Sequence, residues 1–174
     1  MEHLKSLIRE VPDFPKPGIL FYDITTLFAD RWGLQQTLDI LEKRYRYTPI
    51  DKIAGIESRG FILGTALADR LNCGFVAMRK KGKLPWKTVS QTYALEYGTD
   101  DLEVHIDAIE KGERVLIADD LLATGGTMEA SAKLVEKLKG KVVGIVCIVE
   151  LLGLKGRDKL RKYPFYSLLA YEGE

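Results

Sequence analysis

The chain has 174 residues, 46% of them apolar and 29% charged, with 26 lysines and arginines against 25 aspartates and glutamates, a formal net charge of +1. That length fits a single domain over residues 1–174 with a sizeable core, and length and composition together exclude a multidomain machine and a disordered or fibrous chain. A general nucleic-acid binder would carry a basic excess that is missing here, so any anion the chain binds has to be met locally.

The first predicted element is an amphipathic helix, because Leu4, Leu7, Ile8 and Val11 fall at helical spacing before Pro12, Pro15, Pro17 and Gly18 stop it. Leu20 to Tyr22 reads, on its own, as no more than an apolar strand. A helix is predicted over 33–45, with Leu34, Leu38, Leu41 and Tyr45 on one stripe. The middle reads as a βαβ unit: a strand over 52–56, a helix over 60–71 and a second buried strand over 74–78.

Residues 80–107 break the alternation. Segments 89–97 and 102–106, joined through Gly98, are predicted to pair as an antiparallel hairpin, a candidate lid at the carboxyl ends of the strands. A second unit follows, with a strand over 114–118, a helix over 127–138 carrying Met128, Leu134, Val135 and Leu138, and a strand over 142–149. Strands alternating with helices predict an α/β fold, a central and mostly parallel sheet flanked by helices with the hairpin inserted.

The longest apolar run, 142–149, is far short of the roughly 20 residues a membrane helix needs, so no membrane partner is expected. The charged N-terminus does not read as a signal peptide, and the two cysteines, Cys73 and Cys147, lie in apolar segments, so a cytoplasmic, thiol-containing protein is expected. His3 and His105 offer no metal-ligand spacing with those cysteines, and no structural metal site is expected.

The strongest local signal is VLIADDLLATGGT at 115–127. Four apolar residues end in Asp119 and Asp120, and a short loop with Thr124, Gly125, Gly126 and Thr127 then opens a helix. A strand of this kind delivers its carboxylates to the edge of the sheet where open α/β folds bind ligands. The glycines let backbone N–H groups curl around a phosphate, the two hydroxyls add donors, and the helix N-terminus adds its dipole. Carboxylates beside a phosphate cradle suit the hydroxyls of a ribose phosphate. The plainer alternative is a strand end followed by a turn. Neither a Walker A loop nor a G-x-G-x-x-G is present.

Three other segments read two ways. In 57–60, Arg59 and the loop amides either face the same ligand edge or follow a Ser58 helix cap with the arginine solvated. Arg79, Lys80, Lys81, Lys83 and Lys87 put five cations into nine residues with no acid among them, a solvated face or an anion clamp. Glu96 and Tyr97 in the hairpin are an exposed pair or part of a site.

Segment 115–127 resembles the phosphoribosyl pyrophosphate signature of the type I phosphoribosyltransferases. FPKPGILFYDIT at 14–25, GIESRGF at 55–61, RKKGKLP at 79–85, YALEYG at 93–98 and VELLGLKG at 149–156 are similar to members of that family, in the same order and spacing, from about Pro12 to Tyr166. The resemblance implies transfer of 5-phosphoribose from phosphoribosyl pyrophosphate to N9 of adenine, giving AMP and pyrophosphate, a purine-salvage reaction. It implies Mg2+ riding on phosphoribosyl pyrophosphate with no direct protein ligand.

By the same resemblance, Ala123, Thr124, Gly125, Gly126 and Thr127 fix the 5′-phosphate, and Asp119 and Asp120 position the ribose hydroxyls. Ser58 and Arg59 belong to a pyrophosphate loop expected to carry a non-proline cis bond within 57–59. Arg79 and Lys83 reach the pyrophosphate in a neighbouring subunit's site, because the family forms homodimers through that region. Glu96 and Arg59 are the implied catalytic residues, Glu96 moving the purine proton, and Tyr97 closes over the site. Phe21 stacks on the purine, the backbone of Leu20 and Tyr22 reads its edge, and Leu154 closes the other face. Residues 1–30 are then the base-pocket segment and 80–107 a flexible lid. Tyr22 stands where the family often has a basic residue, and Trp86 sits in a variable lid position. An oxopurine transferase would share the cradle and differ in the base pocket. A regulator that binds phosphoribosyl pyrophosphate as a signal should carry an added DNA-binding module or basic face.

Overall fold

The computed structural model describes residues 1–94 and 98–172. Among these, β3 (Lys52–Ile56), β4 (Gly74–Lys80), β7 (Arg114–Leu122), β8 (Lys141–Leu151) and β9 (Phe165–Tyr171) form the parallel part of a seven-stranded sheet. Its order is completed at one edge by the hairpin of β5 (Thr88–Ala94) and β6 (Thr99–His105), giving β5-β6-β4-β3-β7-β8-β9. The expected α/β architecture is the one observed. Strand order runs outward in opposite directions from β3 and β7, so the carboxyl ends of these two strands flank the topological switch point, where such sheets bind ligands.

Period-2 alternation splits the core into two layers. On β7 and β8, Leu116, Ala118, Val146 and Ile148 pack with Leu38 and Leu41 of α3 (Arg31–Tyr45) and Leu63 and Leu67 of α4 (Arg59–Leu71). On the opposite face, Val115, Ile117, Ile145 and Cys147 pack with Met128, Leu134 and Val135 of α5 (Gly126–Lys137). Each such side chain is fully or nearly fully buried, and burial of one Leu, Ile or Val stabilises by about 1.5–3 kcal/mol. Helix α3 starts where Asp30 accepts the Gly33 N–H at 2.7 Å, and α4 stops at Asn72 in the left-handed region, φ 52°. No helix among the described residues is long and apolar enough to cross a membrane.

Several boundaries differ from expectation, two of them substantially. The first helix, α1, spans only Glu2–Ser6, and Val11 lies instead in β1 (Arg9–Pro12), paired antiparallel with β2 (Leu20–Asp23), Val11 opposite Phe21. A five-residue helix has little stability of its own, and β2 offers the backbone of 9–12 ladder partners along one edge. Strand β7 runs four residues beyond the predicted end, through both aspartates to Leu122, because β8 continues beside it: Asp119 pairs with Cys147 and Leu122 with Glu150. The hairpin is stitched to β4 through Arg79 opposite Glu103 and Lys80 opposite Leu102, and Leu102 and Val104 are buried in the core. A short α2 (Thr25–Ala29) precedes α3.

Candidate active site

Two adjoining hollows lie at the carboxyl ends of β3 and β7. The larger, about 550 Å3, is lined by Gly18, Ile19, Leu20, Phe21, Tyr22, Arg59, Leu121, Ala123, Thr124, Leu151 and Leu154. The smaller, about 80 Å3, is lined by Asp119 and by residues 121–128. They share Leu121, Ala123 and Thr124. An apolar slot with an aromatic face therefore opens directly onto a polar loop.

The polar loop is built by backbone geometry. Gly125 caps α5 in the left-handed region, φ 80°, which a side chain would resist. The turn leaves the first N–H groups of α5 without partners in the helix, as an anion-binding N-terminus requires. Its carbonyl wall is the backbone of Gly156, since a Cβ on Gly125 would stand 2.4 Å from the Gly156 oxygen.

Asp119 and Asp120 end in different surroundings. Asp120, 5% exposed, accepts a short hydrogen bond from Nε of Arg59, and the guanidinium of Arg59 lies 5.8 Å from the Phe21 ring centroid. Burial opposes the charge of Arg59, but Asp120 more than restores it. Asp119 accepts from the Asp120 N–H at 2.9 Å, and burial, reinforced by the Asp120 charge, pushes its carboxyl well above the usual range. Helix α4 starts close to both: a Cβ on Gly60 would lie 2.8 Å from the Ala118 oxygen and 2.9 Å from Oδ1 of Asp119.

The loop before α4 contains a cis peptide at Glu57–Ser58, within the expected segment, and a second, cis-proline bond lies at Phe14–Pro15. Ser58 occupies the cap position but makes no side-chain capping bond, and Arg59 is engaged by Asp120, so the plainer reading of 57–60 is corrected on both counts. The basic run also has an unforeseen arrangement. Glu57 accepts from Lys83 Nζ at 2.9 Å, from Arg79 Nη2 at 3.2 Å and from the Lys80 N–H at 3.0 Å. Burial alone would raise the Glu57 carboxyl, but the bonds from Lys83 and Arg79 outweigh it and bring it down to about 2. Lys80 pairs with Asp100 and Lys81 with Asp101. The run is neither a free clamp nor merely solvated, because acids from distant segments answer four of its cations.

Phe21 and Leu154 both line the cleft, with Phe14 packed edge-on against Phe21 at 5.1 Å. Tyr22 is buried with its ring 4.2 Å from that of Tyr171, which leaves its side chain a packing partner of the core. Glu96 and Tyr97 lie outside the described residues. Sequence reasoning did not single out Gly18, Ile19, Leu121 and Leu151 as cleft residues. Leu121, midway between Asp119 and Ala123, could have been found from two-residue spacing along the overrunning strand. No group of three or more His, Cys, Asp or Glu side chains able to hold a metal occurs among the described residues.

Comparison with known proteins agrees with this geometry. Residues 28–170 match the phosphoribosyl transferase domain. The chain is 59% identical over 170 residues to the adenine phosphoribosyltransferase of Acidobacterium capsulatum, covering 98% of this chain and 94% of the relative. Its fold superposes on the Thermoanaerobacter pseudethanolicus adenine phosphoribosyltransferase with a TM-score of 0.95 at 52% identity, over 98% of this chain and 99% of the other. It superposes on the Saccharomyces cerevisiae enzyme with a TM-score of 0.91 at 41% identity, over 97% of each chain. That yeast structure is a complex with an imino-altritol bisphosphate and adenine.

Proposed function

The chain belongs to the phosphoribosyl transferase family, in its adenine phosphoribosyltransferase branch, and from that premise we propose that it transfers 5-phosphoribose from phosphoribosyl pyrophosphate to N9 of adenine. The products are AMP and pyrophosphate, as in purine salvage. The observation that best supports this reading is the continuity of the two hollows through Leu121, Ala123 and Thr124, so that an apolar, aromatic-faced slot adjoins the glycine loop at the head of α5.

In this reading the loop from Ala123 to Thr127 fixes the 5′-phosphate through backbone N–H groups and the hydroxyls of Thr124 and Thr127. Asp119 and Asp120 accept from the ribose hydroxyls and favour positive charge on the sugar as the C1′–O bond to pyrophosphate breaks. The adenine ring lies between Phe21 and Leu154, its edge read by the backbone of Leu20 and Tyr22, so that N9 is held in line with C1′. The bonding pair of the C1′–O bond leaves with pyrophosphate, the N9 lone pair forms the new bond, and Glu96 takes the N9 proton. Ser58 and Arg59 meet the leaving pyrophosphate. Magnesium carried by phosphoribosyl pyrophosphate would supply charge neutralisation at the leaving group without a direct protein ligand, and Asp119 and Asp120 would present hard oxygen atoms beside the ribose compatible with its presence.

A homodimer, in which Arg79 and Lys83 approach the other copy's pyrophosphate while Tyr97 and the 80–107 hairpin cover the site, belongs to the same proposal and rests on family resemblance. A cytoplasmic location is part of it as well, supported by the free thiols of Cys73 and Cys147. The test offers purified protein, magnesium and phosphoribosyl pyrophosphate adenine, hypoxanthine, guanine or xanthine separately, and quantifies nucleotide and pyrophosphate. AMP in step with pyrophosphate from adenine alone is expected. Turnover only with an oxopurine would overturn the base assignment, and binding of phosphoribosyl pyrophosphate without product from any base would overturn the reaction.

A further inference from the structure

Beyond the cleft, one buried carboxylate takes no part in the mechanism above. Glu150, 3% exposed near the end of β8, accepts from both Nε and Nη2 of Arg157, the former at 2.8 Å, and from the Ser167 hydroxyl at 2.6 Å. Arg157 is half exposed, with its guanidinium 4.6 Å from the Phe165 ring centroid. The Arg157 bonds hold the Glu150 carboxyl below its usual range. A buried ion pair of this kind is weak support for stability, since an apolar pair of similar volume often serves as well. Its placement is what singles it out.

Between the two partners the chain turns through two short 3-10 helices, Leu152–Leu154 and Gly156–Leu160, joined at Lys155 in the left-handed region, φ 51°. The two helices meet different halves of the site. Leu154 lines the base cleft. Gly156 lies against the phosphate loop so closely that a Cβ there would stand 2.1 Å from the Ala123 oxygen and 2.9 Å from the Gly125 nitrogen. Arg157, the next residue, is tied back to Glu150, which sits opposite Leu122 of β7 in the sheet.

We propose that Glu150 and Arg157 are a positioning pair, a bracket that fixes segment 152–160 so that the Leu154 wall of the base cleft and the Gly156 wall of the phosphate loop are set together. The pair touches no reacting atom. It acts through the single rigid turn that both subsites share, so loosening it slackens base binding and phosphate binding at once. This inference rests on the reaction proposed above.

The test compares wild type with Arg157→Ala and with the double variant Glu150→Gln/Arg157→Met, which removes both charges and so strands no buried carboxylate. KM for adenine and KM for phosphoribosyl pyrophosphate are both expected to rise about tenfold, with kcat changing less. In a Leu154→Ala background the adenine increment is expected to shrink to less than about twofold while the phosphoribosyl pyrophosphate increment persists, because the missing wall can no longer be misplaced. Unchanged KM values with only a lowered melting temperature would make the pair purely structural and overturn the proposal. Full multiplication of the adenine effect in the Leu154→Ala background would also overturn it. Calorimetric binding of AMP needs no turnover and keeps the two ideas apart. Lack of adenine turnover by wild type counts against the reaction, whereas AMP affinity unchanged in both variants counts against the bracket.

Discussion

Glu57 gathers Lys83, Arg79 and the Lys80 N–H on one carboxylate and thereby joins the loop that precedes α4 to the segment that follows β4. Its ordinary value of 4.5 falls to about 2 in the folded chain. A carboxylate with a depressed folded value contributes stability that is fully present above pH 4.5 and is lost as pH falls towards 2, where the folded form takes up its proton. Denaturant unfolding of wild type and Glu57→Gln across that window is expected to give curves that differ most above pH 4.5 and converge towards pH 2. Parallel curves through the window would remove the charge cluster from the account. At this scale Asp119 and Asp120 stood out because they end an apolar strand just before a glycine-rich turn, whereas Phe21 and Leu154 were drawn only from the family resemblance, their own segments reading as plain apolar chain. The acids that answer the basic run were not legible, since Glu57, Asp100 and Asp101 come from other segments and only strand pairing brings them close.

Among the elements, α4 and β7 meet without room between them at the site. The first turn of α4 carries Arg59 to Asp120 and has no room for a side chain at residue 60. Gly60→Ala forces either the helix or the Asp119 carboxylate to move. Overpacking of this kind costs about 1–3 kcal/mol of stability, measurable by denaturant unfolding. We also expect kcat/KM for phosphoribosyl pyrophosphate to fall by at least about tenfold, because Arg59 and both aspartates shift together. A variant with wild-type kinetics would show that the ribose carboxylates tolerate displacement, against the assigned role. The elements themselves were legible where both faces of a strand are buried, as in β3, whose bounds were read from its apolar run. They were illegible where pairing alone defines them. Strand β1 is largely exposed and four residues long, so nothing in its own pattern distinguishes it from a continuing helix. The extension of β7 through two acidic residues likewise depends on β8 lying alongside.

At the scale of the whole molecule, alternating βα units read from the sequence predicted the central sheet, and the switch point between β3 and β7 then dictates where a ligand can sit. The N-terminal two-stranded sheet brings Phe21 to that point from the far end of the chain, and segment 152–160 closes it from the other. No local pattern encodes that convergence, which is why the cleft walls at Ile19 and Leu151 emerged only in three dimensions. The central claim is that the base slot and the loop form one nucleotide site. A crystal structure with AMP and pyrophosphate tests it most directly. The 5′-phosphate is expected within about 2.7–3.2 Å of the backbone N–H groups of residues 124–127, with the ribose hydroxyls on Asp119 and Asp120 and the adenine ring between Phe21 and Leu154. AMP bound with its phosphate away from the loop, or its base outside the cleft, would contradict it.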